Sequence, residues 1–329
     1  MPKLWLQHSD LGLYLDAIGL LALADLEVVA RQTALAGNSS LLDALLIAPG
    51  LHRQQHATEL NKGEYPACAA MTTGYVFRIE NQATVAYLQR VGKPGHLTTL
   101  EVTSSGSEER AQLRFDSSTT TAMPLVSLLH WSAAGATIAV LSAFVVCGDV
   151  WAIAVLSGFI CARICNIAVV RRRCRPGWFG APEPGVRSDL LILLSQDKWI
   201  RMRGSTDDIK AVTSGTWMQD ATALEDLLNS TATVLTYLDA GLVIHMKPAS
   251  KVLLLGLLLS TAGLLGLANN FSAELQMHGR LVSIKNGPKA YPRRRVLADE
   301  LVEETGKKHW AMKLGLLPAE KDDHEPPTI

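Results

Sequence analysis

Residues 123–175 read MPLVSLLHWSAAGATIAVLSAFVVCGDVWAIAVLSGFICARICNIAVVRRRCR and decide the fold. The first apolar segment, 123–146, contains no Asp, Glu, Lys or Arg. As an α-helix rising about 1.5 Å per residue, it is long enough to cross a hydrocarbon layer of about 30 Å. After Cys147-Gly148-Asp149, the second segment, 150–170, carries a single charge, Arg163, and runs into a cluster of arginines. The stretch therefore predicts a transmembrane helical hairpin with a cationic stop.

A second pair of apolar segments follows at 227–245 and 252–270. The former is weaker, since it holds several threonines and Asp239, whereas the latter is strongly hydrophobic. Only a short connection containing Pro248 separates them, so they are predicted to form a second helical hairpin. The fold class predicted from these segments is an α-helical integral membrane protein with four transmembrane helices in two hairpins, 122–170 and 227–271, carrying a mixed α+β cytosolic platform.

The distribution of cations predicts the topology. Arginines follow the second segment at 171–175 and the fourth at Arg280 and 293–295, whereas the hairpin tips carry only Lys247 and Lys251. Because cytoplasmic loops are enriched in Lys and Arg, both termini and the 171–226 segment are predicted to be cytosolic. The two lysines at the second tip oppose this assignment. Nothing in the sequence identifies the membrane.

The N-terminal region, 1–60, is predicted to be helical and cytosolic. Residues 11–30 are rich in leucine but are interrupted by Asp16, Asp25 and Glu27. An acidic residue near a helix centre costs about 2.5 to 3.5 kcal/mol on insertion scales. We therefore predict a buried or membrane-surface helix here instead of a fifth span.

The region 61–121 changes to short runs with β propensity, separated by turn residues. Residues 111–115 alternate between apolar and polar side chains, which is typical of a strand with one wet face. This pattern predicts a small antiparallel meander. In the segment 171–226, the runs 190–194 and 198–203 are each too short to span and predict a strand hairpin.

The C-terminal region, 272–318, is predicted to contain a strand at 280–284, a turn at Asn286-Gly287-Pro288 and a helix at 297–304. Residues 319–329 are predicted to form a disordered tail. We expect the soluble pieces from these distant parts of the chain to pack together, with the 75–115 strands, as one cytosolic platform.

Ionisable residues inside predicted membrane segments are functional candidates by default, which selects Arg163, Asp239 and His130. Counted from the cytosolic ends, His130 and Arg163 lie about seven residues deep, near 10 Å, and Asp239 lies about as deep from the opposite face. A direct pair between Arg163 and Asp239 is therefore not favoured. Arg163 is predicted to extend to the cytosolic headgroups, and Asp239 to the far interface or to a polar partner on a neighbouring helix.

The arginine cluster offers two further candidates. Cys174, set among arginines at the membrane edge, is a candidate for palmitoylation. The cations themselves are candidates for contacts with anionic lipids, each worth about 1 kcal/mol near the surface. These cations are Arg171, Arg172, Arg173 and Arg175.

Small residues recur every fourth position at Ala154, Gly158 and Ala162, and again at Gly256 and Ser260. This spacing lets helix backbones approach closely. It predicts helix association within the bundle or between copies of the chain, which would make a homo-oligomer.

Composition and motifs exclude several classes. The chain of 329 residues has 31 basic and 31 acidic residues, which argues against a nucleic-acid partner. It contains no phosphate-binding loop, nucleophile elbow, zinc-protease motif or dinucleotide fingerprint, so no catalytic residue, cofactor or metal is predicted.

The stretch 178–217, from Trp-Phe-Gly-Ala-Pro-Glu-Pro-Gly through Thr-Ser-Gly-Thr-Trp, resembles a segment of fungal multi-pass membrane proteins to which no activity is attached. Residues 9–18, 277–280 and 297–311 are similar to the same group. The resemblance spans most of the chain. It implies a filamentous-fungal source and an integral membrane protein, and it brings no catalytic residues.

Three functional hypotheses follow. The first is a non-enzymatic scaffold or regulatory membrane protein whose cytosolic platform binds a protein partner, in contact with the lipid bilayer. The second is a transporter or channel component in which Arg163 and Asp239 line a polar path. The third is a membrane enzyme without a recognisable motif.

Overall fold

The computed structural model of the protein describes residues 18–104 and 122–318. In chain order the helices and strands are α1 (Ile18–Ala22), α2 (Val28–Ala36), β1 (Ala67–Ala70), β2 (Val76–Arg78), α3 (Gln82–Val91), β3 (His96–Ser104), α4 (Ala122–Val146), α5 (Val150–Arg173), β4 (Arg187–Leu194), β5 (Lys198–Ser205), α6 (Thr206–Thr213), α7 (Ala223–Leu242), α8 (Pro248–Phe271), β6 (Leu275–Met277), β7 (Arg280–Ala290), α9 (Arg294–Thr305) and α10 (His309–Lys313). Three 3₁₀ helices cover Leu41–Leu45, Leu51–Asn61 and Val243–His245.

The chain divides into two compact units, each built from three separate segments. Of the described residues, the helical unit comprises 18–60, 122–175 and 218–273. The α/β unit comprises 61–104, 176–217 and 274–318. The two units therefore alternate along the chain.

Four helices of the helical unit are long and apolar enough to cross a membrane, which confirms the four predicted segments. Their candidate spans are Leu125–Val146, Val150–Arg173, Ala223–His245 and Pro248–Phe271. Within the unit α4 packs along α8, and α5 packs along α7. Each long helix therefore makes its most extensive contact with a helix of the other sequence pair, and not with its own neighbour in the chain.

The two hairpin tips are hydrogen-bonded to each other. Asp149 caps α5 by accepting from the amide of Ala152, and its other carboxylate oxygen accepts from the amide of Lys247 at 2.8 Å. Burial alone would raise the pKa of Asp149, but hydrogen bonds from Ser250 and from these two amides hold it below its ordinary value. The Nζ of Lys247 donates to the carbonyl of Cys147 at 2.8 Å. The ends of the four long helices away from these tips therefore lie together at the opposite end of the unit.

The described part of the N-terminal region, residues 18–60, is inserted among the four long helices, and we call it the inserted segment. Its 3₁₀ helix Leu41–Leu45 contacts both α4 and α5, and α1 contacts both α7 and α8. Leu46 and Ile47 are fully buried in one core with Phe144 and Phe159. The described residues 18–60 form short α- and 3₁₀ helices whose apolar side chains pack with the long helices, and the cytosolic location of the region stays a prediction.

The α/β unit contains a seven-stranded sheet with strand order β2-β1-β4-β5-β3-β7-β6. Only β3 and β5 pair in parallel; the other neighbours are antiparallel. Helices α9 and α10 bury Leu297, Leu301 and Trp310 against sheet residues that include Trp199 and Leu191. The prediction that distant soluble segments pack together is confirmed.

Two local predictions for this unit meet different outcomes. The strand hairpin is confirmed as β4 and β5, which are joined by residues 195–197, with positive φ values of 61° at Gln196 and 55° at Asp197. The antiparallel meander predicted from about residue 75 to 115 is wrong over its described part, because α3 separates β2 from β3 and β3 pairs with β5 and β7 instead. Residues 111–115 and the predicted tail 319–329 lie outside the described residues.

The turn predicted at Asn286-Gly287-Pro288 is also wrong, since β7 continues through these residues. Its register against β3 shifts twice here, with Leu97 opposite Lys289, Thr99 opposite Asn286 and Leu100 opposite Ile284. The shifts place extra residues on β7. A bulge accommodates a proline that has no amide proton to donate to the sheet, so the strand is not ended. The predicted helix at 297–304 is confirmed within α9.

Candidate functional site

Arg163 lies in the middle of α5 and is fully buried. Its Nε donates to the carbonyl of Asp43 at 3.0 Å, and its Nη1 donates to Oε1 of Gln54. Its Nη2 has no hydrogen-bond partner within the described chain. The prediction that Arg163 extends to the cytosolic headgroups is therefore wrong. The inserted segment supplies acceptors beside the guanidinium, so the side chain has no need to reach the end of the helix.

The acceptors of Arg163 are themselves held by buried polar residues of the inserted segment. The carboxylate of Asp43 accepts from the amide and hydroxyl of Ser40 at 2.8 and 3.0 Å, and from Nε2 of Gln32 at 3.3 Å. The Nε2 of Gln54 donates to the hydroxyls of Thr33 and Ser39 at 3.2 and 3.1 Å. Because these bonds join residues from 32 to 54, they fix the path of the inserted segment around Arg163.

Other long helices also direct polar side chains at the backbone of the inserted segment. Thr137 of α4 donates to the carbonyl of Leu45 at 2.6 Å. Asn166 of α5 donates to the carbonyl of Leu51 at 3.0 Å, and Asn269 of α8 donates to the carbonyl of Val28 at 2.8 Å. Irregular and 3₁₀ backbone leaves carbonyls without helical partners, and buried carbonyls need donors. The polar residues inside these apolar helices therefore satisfy the inserted backbone.

Sequence reasoning missed this cluster because its partners are distant in the chain. Gln54 and Arg163 are separated by 109 positions, and Asp43 and Arg163 by 120. The available signal was the presence of Asp43 inside an otherwise apolar run that ends at Pro49-Gly50.

Asp239 of α7 is buried, with 2 % of its surface exposed, and its Oδ2 has no partner within the described chain. It lies against Gly158 of α5, where an added Cβ would come within 2.2 Å of both carboxylate oxygens. Asp239 and Arg163 form no ion pair, in line with the depth argument. Gly158 therefore lets α5 and α7 approach at the position of the carboxylate.

The structure does not bring the three intramembrane candidates together. His130 is half-buried on α4, where its Nδ1 lies 2.9 Å from the carbonyl of Val126 on the same helix. Its Nε2 is buried without a partner in the described chain. His130 therefore bonds within its own helix, Arg163 binds the inserted segment, and Asp239 packs against α5.

The arginine cluster separates into engaged and free side chains. Arg172 forms an ion pair with Glu225 at 3.2 Å, and Arg173 donates to the carbonyl of Gln219 at 2.8 Å. Arg171 and Arg175 are exposed, and their guanidinium groups have no partner in 18–104 or 122–318, although the carbonyl of Arg175 accepts from Nε2 of Gln219 at 3.2 Å. These two are the side chains available to anionic lipid.

Cys174 is buried, with 5 % of its surface exposed. Acylation needs a thiol that an enzyme or lipid donor can reach. Palmitoylation of Cys174 stays a prediction, and it would require the buried thiol to become accessible.

The small residues fall in two environments. Gly158 and Ala162 lie at the inner face of α5, whereas Ala154 is exposed. Gly256 and Ser260 face outward on α8, and nothing lies within 4 Å of a Cβ added at Gly256. The first set serves packing within the unit, and association between copies through the second set stays a prediction.

Comparisons with protein-family models, with curated proteins and with solved structures give no match. The similarity to fungal membrane proteins therefore stays a prediction. Within residues 18–104 and 122–318, no group of three or more His, Cys, Asp and Glu side chains is arranged to hold a metal ion.

Proposed function

We propose that the four long helices span a bilayer, with the hairpin tips on the far side and both termini and the α/β unit in the cytosol. The length and composition of the helices support spanning. The tips are tied to each other, so the remaining helix ends, including the one that carries Arg171 to Arg175, lie at one end of the unit. The positive-inside rule assigns that end to the cytosol.

In this orientation the inserted segment is re-entrant. Arg163 lies ten residues before the end of α5 at Arg173, which is about 15 Å along the helix axis. Irregular backbone at such a depth is tolerated only when it is buried in protein or lines a water-filled cavity. The inserted segment is buried in protein, and Thr137, Arg163 and Asn166 donate hydrogen bonds to its carbonyls.

For the function, we favour a non-enzymatic scaffold or regulatory protein that uses the α/β unit as a cytosolic interaction platform. The alternation of the two units along the chain carries this proposal. The sheet needs all three of its segments, since β1 pairs with β4, β5 with β3, and β3 with β7. Each segment is covalently connected to the helical unit. A partner bound by this platform is therefore tied to the membrane by several connections.

The transport alternative loses one of its two residues, because Arg163 is engaged by the inserted segment. Only Asp239 remains for a polar path. A scaffold needs no such path, and the donors on α4, α5 and α8 are already used by backbone carbonyls.

Proximity labelling from the C-terminus, combined with imaging of the organelle, tests the scaffold proposal. The wild-type chain is compared with R201L, which removes a buried arginine of the platform, and with I164A, which alters an exposed position on α5. We expect a defined set of cytosolic proteins to be labelled by wild type and I164A and lost in R201L. Labelling no richer than that of an unrelated membrane protein, or labelling retained in full by R201L, would refute the proposal.

A further inference from the structure

The Asp239 carboxylate occupies a closed position between α7 and its neighbours. Gly158 lies against both carboxylate oxygens. One residue further on, the carbonyl of Ala240 would lie 2.0 Å from a Cβ added at Gly19 of α1. Two glycines on different helices thus allow close packing on both sides of this turn of α7, and the carboxyl is removed from solvent.

No cation on the elements that pack against this turn pairs with Asp239. On α5 the nearest charged residue along the helix is Arg163, which is bound to Asp43 and Gln54, and Cys161 is exposed on another face. The described residues of α1, 18–22, contain no titratable side chain.

The titratable groups of α7 and of the turn after it point elsewhere. Tyr237 is half exposed and contacts the ring of His52 at 5.8 Å. His245 stacks on Trp151 at the hairpin tip at 4.9 Å. Asp239 therefore has neither a counter-ion nor a hydrogen-bond donor for Oδ2 in the described chain.

An ionised carboxylate in this position is unfavourable, because its hydration is lost and no donor among the described residues replaces it at Oδ2. Binding one proton removes the charge and converts the acceptor-only group into one that can donate. We propose that Asp239 is a proton-binding site of the helical unit, occupied while α5 and α7 are packed at Gly158 and emptied when the two helices separate there.

Proton release is coupled to helix separation through Gly158. An ionised Asp239 needs water around it, and Gly158 of α5 lies against both carboxylate oxygens, where that water would have to enter. Opening of the α5–α7 contact therefore admits water and releases the proton, and uptake of the proton favours closure. This site is independent of the scaffold proposal, which concerns the α/β unit.

Infrared difference spectroscopy on the full-length protein in lipid nanodiscs tests the site. We expect wild type to show the C=O band of a protonated carboxylic acid, which disappears as the pH is raised. The band should be absent in D239N, shifted in D239E, and unchanged in D226N, a control that removes an exposed acid from the same helix. No such band in wild type, or its persistence in D239N, would overturn the proposal.

Two further measurements distinguish loss of the proton-binding carboxyl from misfolding of the variant. D239E keeps a carboxyl, so a shifted band in this variant identifies the group even if D239N fails to fold. The distance between spin labels on the exposed faces of α5 and α7 should increase as the band disappears. Loss of the band at constant distance would contradict the coupling.

Discussion

Arg163 in the helical unit and Arg201 in the α/β unit are both buried arginines, with 0 % and 6 % of their surface exposed. The guanidinium of Arg163 is held by neutral acceptors, a backbone carbonyl and a glutamine side chain. The guanidinium of Arg201 is held by two carboxylates, Asp189 at 2.6 Å and Glu304. One arginine organises an irregular backbone among apolar helices, and the other joins a helix to a sheet.

The two units use a buried charge differently. In the α/β unit the carboxylates neutralise the arginine, and Arg203 adds a second cation to the same pair of acids. Among the described residues of the helical unit, Asp43 contributes its carbonyl to Arg163, while its carboxylate accepts from Ser40 and Gln32. The inserted segment therefore depends on Arg163 more than α9 depends on Arg201.

The largest expected effect is that of R163L. It removes two charge-assisted hydrogen bonds and leaves the carbonyl of Asp43 and Oε1 of Gln54 buried without a donor. We expect a loss of roughly 3 to 5 kcal/mol in the free energy of unfolding of the helical unit. Thermal unfolding in detergent measures it, with I164A at an exposed neighbouring position as control. Equal stability of the two variants would contradict the assignment.

R201L should cause the second-largest loss of stability. It leaves Asp189 and Glu304 with Arg203 alone, which is one-third exposed. We expect the free energy of unfolding of the α/β unit alone to fall by roughly 2 to 4 kcal/mol, because removing one member of a buried ionic network leaves the others uncompensated. Limited proteolysis around α9 measures this loss, and R203Q serves as the milder control. Unchanged protection of α9 in R201L would show that Arg201 does not hold it.

G158A is expected to cost roughly 1 to 3 kcal/mol, because the added methyl group would overlap the Asp239 carboxylate and force α5 and α7 apart. G256A is the matched control on another long helix, where an added Cβ meets nothing within 4 Å. Alanine has the higher helix propensity, so G256A should be neutral or slightly stabilising. If both variants behave alike, Gly158 is not a close-packing position.

The smallest expected effect is the pH dependence of the α/β unit. Hydrogen bonds from Arg201, opposed by burial and aided by Arg203, lower the pKa of Glu304 to about 2. A carboxyl whose pKa falls on folding stabilises the protein above its unfolded pKa of about 4.3, and this contribution is lost as the pH falls towards 2. Melting temperatures between pH 7 and pH 3 should therefore fall more steeply for wild type than for E304Q. Parallel profiles would exclude Glu304 as the source.

Apolar length and turn chemistry predict much of this fold. The apolar residues 150–170, just before Arg171, predict α5 because a run of this length is typical of a membrane-spanning helix. The β4–β5 hairpin can be predicted because the apolar run 190–194 is too short to span a membrane and is followed by an alternating charged run at 198–203. These signals are local, so they can be read from neighbouring residues.

The inserted segment could not be predicted in the same way. Asp25 and Glu27 argue correctly against a spanning helix, but they do not indicate that Leu46 and Ile47 are buried between helices more than 80 residues away. The burial of Arg163 depends on carbonyls that only the folded chain places beside it. Likewise, Pro288 predicts a turn by local rules, whereas pairing with β3 turns the same residues into a bulge.

Hydrogen–deuterium exchange of residues 41–51 in the full-length protein in nanodiscs tests the insertion most directly. We predict exchange as slow as that of α5 in wild type, because these residues are packed among the long helices. In R163L the same amides should exchange fast while β4 and β5 stay protected. Fast exchange of 41–51 in wild type, or slow exchange retained in R163L, would contradict an inserted segment held by Arg163.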